Sequence, residues 1–222
     1  MEKISYLLFD FDGTIVDSMK FLEKNAIFLL NRFYNFPSAK AKLSYRQTTG
    51  LPFVQQMEMI SPGTPSLNGE VVDKFEQMKI ERIYEQELFP EVPQVLVELK
   101  NRHYRIGISS GTYEHIIIKY FEIVGIQVID DILGYRDKSF EKGKPHFDYI
   151  LKKWNLTPDN IIFIGDSLND ARRAVDNKIR FIGRLGLFNK DEFSQIIPNI
   201  HIISNLSEIL PLFPPLGEEI WT

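Results

Sequence analysis

Cysteine is missing from all 222 residues of this chain, which rules out a disulfide framework, a thiolate zinc site and a cysteine nucleophile. The same absence fits a reducing compartment. Long apolar runs are lacking too: the chain reaches Asp10 before any apolar stretch is long enough for a signal peptide, and no segment resembles a spanning helix. Positive charge forms no stripe, because lysines and arginines are scattered among acids and the formal net charge is -4. The electrostatic footprint of a nucleic-acid binder is therefore missing. The four histidines, His103, His115, His146 and His201, show no zinc-ligand spacing. A soluble cytoplasmic protein is expected, with neither a nucleic acid nor a membrane as partner and with a monomer or homodimer as its state.

The chain is long enough for one good-sized domain, or for one domain with an insert. An apolar strand from about Ile4 to Asp10 comes first. Residues 19 to 35 then carry Leu22, Ala26, Leu29 and Phe33 at helical spacing. Pro37 and Ser38 break that pattern, and a weaker helix runs to about Gln47 before the Gly50-Leu51-Pro52 turn. Phe53, Met57 and Ile60 mark a short helix, ended by the turn residues from Ser61 to Pro65. Val72, Phe75, Met78 and Ile83 outline a longer helix reaching Glu87.

Beyond Leu88-Phe89-Pro90 the pattern alternates. Pro93 opens a helix, Arg105 to Ser109 reads as a short buried strand, Thr112 to about Ile123 as a helix and Ile132 to Tyr135 as a strand. A helix stripe of Phe147, Ile150, Leu151 and Trp154 stands behind Pro145. A strand at Ile161 to Gly165, a helix at Asn169 to Asn177, strands near Ile179 to Ile182 and Ile200 to Ile203, and a short terminal helix complete the chain. Strands alternating with helices imply an α/β fold with a doubly wound parallel sheet and right-handed crossovers. The helical stretch between the first strand and Pro93 is too long for a crossover. An inserted all-helical cap is expected over 17–89, on a catalytic core of 1–16 and 90–222.

The chemistry gathers at strand ends. Asp10 and Asp12 stand two residues apart at the end of an apolar strand, and side chains two apart share one face. Gly13 lets the backbone turn sharply away, leaving the pair at the sheet's carboxyl edge, where open α/β sheets place ligands. Asp166 follows the apolar strand Ile161 to Gly165, and Asp170 lies four residues on, so that a helix would bring the two together. Like charges about 4 Å apart cost roughly 4 kcal/mol per pair at an effective dielectric near 20. Such a cluster requires a cation, and Mg²⁺ is the hard ion suited to carboxylate, carbonyl and water ligands. Taken alone, Asp-Gly reads as a turn, Ser109-Ser110-Gly111-Thr112 as a turn and helix cap, and Asp166 as a helix N-cap.

The four stretches in this order carry a resemblance. Asp10-Phe11-Asp12-Gly13-Thr14 with Val16-Asp17-Ser18, then Ser109, then Gly143-Lys144-Pro145, then Gly165-Asp166-Ser167-Leu168-Asn169-Asp170 resemble the motifs of the haloacid dehalogenase-like phosphohydrolases. The helical insert is similar to the cap of that family's C1-capped members. Val16-Asp17-Ser18 and Gly50-Leu51-Pro52 bring it nearest to the phosphoglycolate phosphatases. The resemblance implies a nucleophile at Asp10, which forms an aspartyl phosphate, and a general acid/base at Asp12. It implies Mg²⁺ held by Asp10, the Asp12 backbone carbonyl, Asp166 and Asp170. Ser109 or Ser110, with Gly111 and the amides of a following helix, would hold the phosphoryl oxygens. Lys144 would neutralise nucleophile and phosphate, with Lys142 and Lys138 as alternatives. Aspartate at position 12 favours phosphate esters over the family's dehalogenase and phosphonatase branches.

The expected activity is Mg²⁺-dependent hydrolysis of a small phosphorylated metabolite. A phosphomutase or pyrophosphate hydrolase would use the same chemistry, and a receiver-like signalling module would also gather acids, a hydroxyl and a lysine around a phosphoacceptor aspartate. Lys20, Lys24 and Arg46 are the basic candidates for a second anionic group, Arg46 being carried as a substrate ligand, although each also reads as part of a solvated helix face.

Overall fold

Residues 6 to 9 alternate between two apolar neighbourhoods. Leu7 and Phe9 join one cluster of fully buried side chains, Tyr6 and Leu8 another, as the period of an extended strand requires. The same split recurs in the neighbouring strand, where Ile162 and Ile164 face one layer and Ile161 and Phe163 the other. A strand buried on both faces belongs in the middle of a sheet covered by helices.

The computed structural model describes residues 4–217; residues 1–3 and 218–222 of the expected core lie outside the described residues. In order, the elements are β1 (Tyr6–Phe9), α1 (Met19–Tyr34), α2 (Ser38–Thr48), α3 (Phe53–Ile60), α4 (Pro65–Arg82), α5 (Val92–Asn101), β2 (Arg105–Tyr113), α6 (Glu114–Val124), β3 (Asp131–Tyr135), α7 (Lys144–Trp154), β4 (Ile161–Gly165), α8 (Leu168–Asp176), β5 (Arg180–Arg184), α9 (Lys190–Ser194) and β6 (His201–Ile203). Short 3₁₀ turns stand at Ile83–Glu85, Pro158–Asn160 and Leu206–Leu212.

All six strands pair in parallel, in the order β3-β2-β1-β4-β5-β6. The chain winds outward from β1 to β3 on one side, then from β4 to β6 on the other. The reversal falls between β1 and β4, and in such sheets ligands bind beyond the carboxyl ends of the strands at that point. This is the doubly wound α/β sheet that the sequence pattern implies, with the helices α1 to α4 between β1 and β2.

Three elements differ from the sequence pattern. α4 starts at Pro65, about two turns before Val72, because proline fits a first helical turn and Asn68 ties it back to the carbonyls of Met57 and Ser61. β2 continues four residues past Ser109, with a register shift against β3 between Ser109 and Tyr113, so α6 begins only at Glu114. The short α9 has no apolar stripe to announce it; it is capped reciprocally by Asn189 and Glu192.

α1 to α4 bury a cluster of their own, including Leu22, Ala26, Leu29, Tyr45, Met57 and Phe75. Phe53 stacks on Phe75 with ring centroids 3.7 Å apart. Phe21 and Phe33 pack against the same cluster, but Phe28 is exposed. The chain enters and leaves this helical lobe side by side. Val16 bridges Leu88 in antiparallel fashion, Asp17 N donates to Glu87 O at 2.9 Å, and Phe89 N donates to Ile15 O at 3.1 Å.

Candidate active site

β1 delivers Asp10 and Asp12 to the carboxyl edge of the sheet. Asp10 N is pinned to Ile164 O of β4 at 2.8 Å, and its Oδ1 accepts the amide of Phe11 at 2.7 Å. Gly13, at φ +80°, turns the chain out of the strand; a methyl group there would run into the Asp166 carboxylate, so the turn also makes room for the opposite acid.

β4 ends one residue before Asp166, and Ser167 caps α8 by accepting the Asp170 amide at 3.1 Å. That cap sets Asp170 in the first helical turn, facing back toward β1. Asp10, Asp166 and Asp170 each offer an oxygen within 4.8 Å of the others, and all three are buried. Lys142 Nζ lies between two of them, 2.8 Å from Asp10 Oδ1 and 2.7 Å from Asp170 Oδ1.

One ammonium does not balance three carboxylates. Burial pushes the Asp10 carboxyl up to about 7, with Asp170 adding to the rise and Lys142 opposing it. Burial likewise carries Asp166 well above the ordinary carboxylate range, reinforced by Asp10 and Asp170. Lys142 is pulled down by burial, yet the two acids beside it hold it above its usual value. The oxygens Asp166 Oδ2 and Asp170 Oδ2 are buried without a hydrogen-bond partner, a costly state unless something completes them. Three oxygen donors, two of them orphaned, with an excess of two negative charges over Lys142, fit a hard divalent cation.

Asp12 points to the other side of the cleft mouth. Its Oδ1 accepts from Ser18 at 2.6 Å, and its Oδ2 accepts from Thr112 at 2.6 Å and from Lys79 Nζ at 2.8 Å. Lys79 also donates to Thr112 Oγ1. Burial alone would raise the Asp12 carboxyl, but the Lys79 ammonium and the two hydroxyls pull it below its ordinary value.

Several residues singled out in the sequence stand elsewhere. Lys144 is 70% exposed and pairs with Asp148 at 2.6 Å, one turn along α7; Lys142 occupies the place beside Asp10. Gly143, in a positive-φ conformation at φ +114°, stands between the two. Ser109 is turned into the sheet layer, where its hydroxyl meets His146 Nδ1 at 2.9 Å. The other ring nitrogen of His146 lies 3.2 Å from Gly134 O and donates to it, so Ser109 donates to Nδ1. Burial pushes the His146 imidazole down to about 3, which keeps it neutral. Ser110 and Gly111 line the cleft instead, because β2 runs on past Ser109. Arg46 lies outside the cleft lining, bound to Glu192 at 2.7 Å with its guanidinium 4.9 Å from the Phe188 ring. Lys20 and Lys24 are exposed and do not line the cleft either.

The helical lobe closes over these groups and contributes side chains that the sequence reading passed over. Lys79 and Glu76 of α4, Tyr45 of α2 and Gln56 of α3 all line the cleft. Gln56 is used up within the lobe, bonded to Thr48 and to Leu51 O. Glu76 and the Tyr45 hydroxyl make no hydrogen bond among the described residues. Burial pushes the Glu76 carboxyl up, Lys79 opposing it, and burial carries the Tyr45 hydroxyl well above its ordinary value. A signal for Lys79 was present. Asn68, Val71, Phe75 and Lys79 are the buried residues of α4, so Lys79 takes the next inward step of a helical stripe where an apolar side chain would ordinarily sit. The lobe is held down by Asn169 Nδ2 on Thr49 O at 2.7 Å, Arg173 on Gly50 O at 2.5 Å and Gln55 on Glu141 at 2.6 Å. The cleft, its mouth included, has an empty volume of about 500 Å³.

Comparison with known proteins agrees with this geometry. A family model described as haloacid dehalogenase-like hydrolase matches residues 7–184. The pyrophosphatase PpaX of Bacillus mycoides is 21% identical over 95% of this chain and 97% of its own. Among solved structures, a hydrolase of the haloacid dehalogenase-like family from Streptococcus pneumoniae superposes with a TM-score of 0.77 at 25% identity, covering 96% of this chain and all of that one. A protein described as a predicted phosphoglycolate phosphatase, from Haemophilus somnus, gives 0.73 at 21% identity over 96% and 99% of the two chains.

Proposed function

The chain belongs to the haloacid dehalogenase-like hydrolases, a phosphatase within that family, and from that premise we propose that it hydrolyses the phosphate monoester of a small metabolite through a phospho-Asp10 intermediate, with Mg²⁺ as cofactor. The reading is phosphoglycolate phosphatase-like in reaction and takes 17–89 as the cap on a core of 1–16 and 90–222. It includes a cytoplasmic location and a monomeric or homodimeric state. The observation that carries it is that Asp10 and Asp12 line the same cleft, with Lys142 bridging Asp10 and Asp170.

In this mechanism an Asp10 oxygen attacks phosphorus while the ester oxygen departs on the far side. Asp12, ionised beside Lys79, takes the proton that a monoanionic ester brings into the cleft and passes it to that oxygen. The aspartyl phosphate is then opened by water, whose proton Asp12 takes back, and inorganic phosphate leaves. Asp12 must be ionised for that second half, the form the Lys79 ammonium favours. Ser110 and Gly111 bound the space for the phosphoryl oxygens, and Lys142 offsets charge on Asp10 and on the transferring group. A divalent cation held by Asp10, Asp166 and Asp170, with the Asp12 carbonyl as a further ligand, would screen the phosphoryl charge. The closed lobe keeps other water out.

Asp10→Asn tests this directly. It is expected to abolish release of phosphate from an aryl phosphate, a loss of at least about 10⁴-fold, with an unchanged circular dichroism spectrum. A chelator should silence the unaltered protein reversibly. Full activity in Asp10→Asn would remove the proposal. Pyrophosphate hydrolysis is the second reading, favoured by the curated relative of that name across nearly the whole chain.

A further inference from the structure

Resting on the phosphatase reading, the next question is which leaving group the lobe accepts. The cleft's cations are already committed. Among the described residues, Lys79 and Lys142 are the only basic side chains lining it, against four acids, Asp10, Asp12, Glu76 and Asp166. Lys142 is held by Asp10 and Asp170, and Lys79 by Asp12 and Thr112. Arg173, which is not part of the lining, is turned to Gly50 O and Asp170. A divalent ion would balance the acids at the sheet edge, and the phosphoryl group then brings negative charge of its own. Nothing remains to neutralise a second anionic group.

What the lobe does offer is an acceptor. Glu76 stands one helical turn before Lys79 on α4, so both reach the same cleft, yet its carboxylate has no hydrogen-bond or ion-pair partner among the described residues. The Tyr45 hydroxyl opposite is likewise unpaired, and the stacked rings of Phe53 and Phe75 form an apolar wall beside them. An ionised carboxylate that faces the cleft without a protein donor accepts a strong hydrogen bond from a ligand that brings one. We propose that Glu76, with Tyr45, selects a leaving group carrying a hydrogen-bond donor, a hydroxyl or an ammonium, and rejects one carrying a second anion. The substrate class is then the phosphate ester of a small polyol or amino alcohol.

The experiment compares kcat/KM for glycerol phosphate, phosphoethanolamine, phosphoglycolate and pyrophosphate, with an aryl phosphate as reference. At least one of the first two is expected to exceed both anionic compounds by about tenfold or more. Glu76→Gln and Glu76→Ala separate the donors. Recognition of an ammonium fails in both variants, whereas recognition of a hydroxyl survives in Glu76→Gln, which still accepts, and fails in Glu76→Ala. A preference of the unaltered protein for phosphoglycolate or pyrophosphate overturns the inference even if a variant does not fold. So does a set of ratios that moves less than twofold in Glu76→Ala. If the unaltered protein does not turn over the aryl phosphate or any other compound, the phosphatase reading falls and the inference with it; turnover with unchanged ratios sinks the inference alone.

Discussion

On the sheet side of the cleft, Asp10, Lys142 and Asp170 hold one another at 2.7 to 2.8 Å, and Ser109 is locked to His146 beneath them. On the lobe side, Glu76 and Tyr45 reach the same space without a hydrogen-bond partner among the described residues, whereas Lys79 crosses to Asp12. On the sheet side Asp10 follows directly on the end of β1, the Ser167 cap sets Asp170 in the first turn of α8, and Lys142 is held by both acids. The lobe side is fixed by helices whose packing leaves polar groups waiting for a ligand. A preorganised side suits groups that must meet charge as it develops, while an unsatisfied one suits discrimination between ligands, because each mismatch leaves a buried group unpaired. The contrast teaches a division of labour, with reaction on one side and choice on the other.

The sharpest way to break that contrast is at the two lysines. Lys142→Met is expected to lower kcat by about 10³-fold with every substrate and, by leaving buried acids unpaired, to cost roughly 3 to 5 kcal/mol of stability. Lys144→Met should leave kcat unchanged, since an exposed pair contributes at most about 1 kcal/mol. Steady-state rates and urea titrations decide, and the opposite ranking would move the cation out of the sheet side. Next come the adjacent serines. Ser110→Ala should slow phosphate release by about 10²-fold, whereas Ser109→Ala should keep the rate and lose about 1 kcal/mol with its bond to His146; equal rate losses would contradict the inward turn of Ser109. The smallest effect is expected at Lys79→Met, where Asp12 keeps Ser18 and Thr112 but loses its cation. A fall of about tenfold in kcat/KM, alike for all esters, would mark Lys79 as serving Asp12. A fall confined to one substrate would instead assign it to choice.

The sheet side was largely legible in advance. Aspartates at 10, 12, 166 and 170 sit at short offsets from apolar strands, and such strands announce their own ends. Where the local chain departs from the simplest path, legibility stopped. Three lysines fall between 138 and 144, and which one turns inward depends on the left-handed backbone at Gly143, which a sequence pattern registers only as a possible turn. Ser109 and Ser110 both follow the apolar run Ile106 to Ile108, and which of them faces the cleft depends on β2 continuing to Tyr113 through an irregularity in its pairing with β3. Arg46 looked available because it is basic and helical, and its partner Glu192 lies 146 positions away. Glu76 and Lys79 were overlooked because α4 is mostly polar along its length, so its inward face is weakly marked.

The paired crossing at Val16 and Leu88 carries an evolutionary corollary. Because the two ends of the helical excursion lie against each other, joined by backbone bonds at Asp17 and Phe89, the scaffold registers only a short gap there, whatever fills it. Closing a longer or shorter excursion across that gap changes the entropy by only about 0.6 kcal/mol per doubling of length. A lineage could therefore exchange the whole excursion for another of different size and taste for ligands while inheriting the hydrolytic apparatus intact.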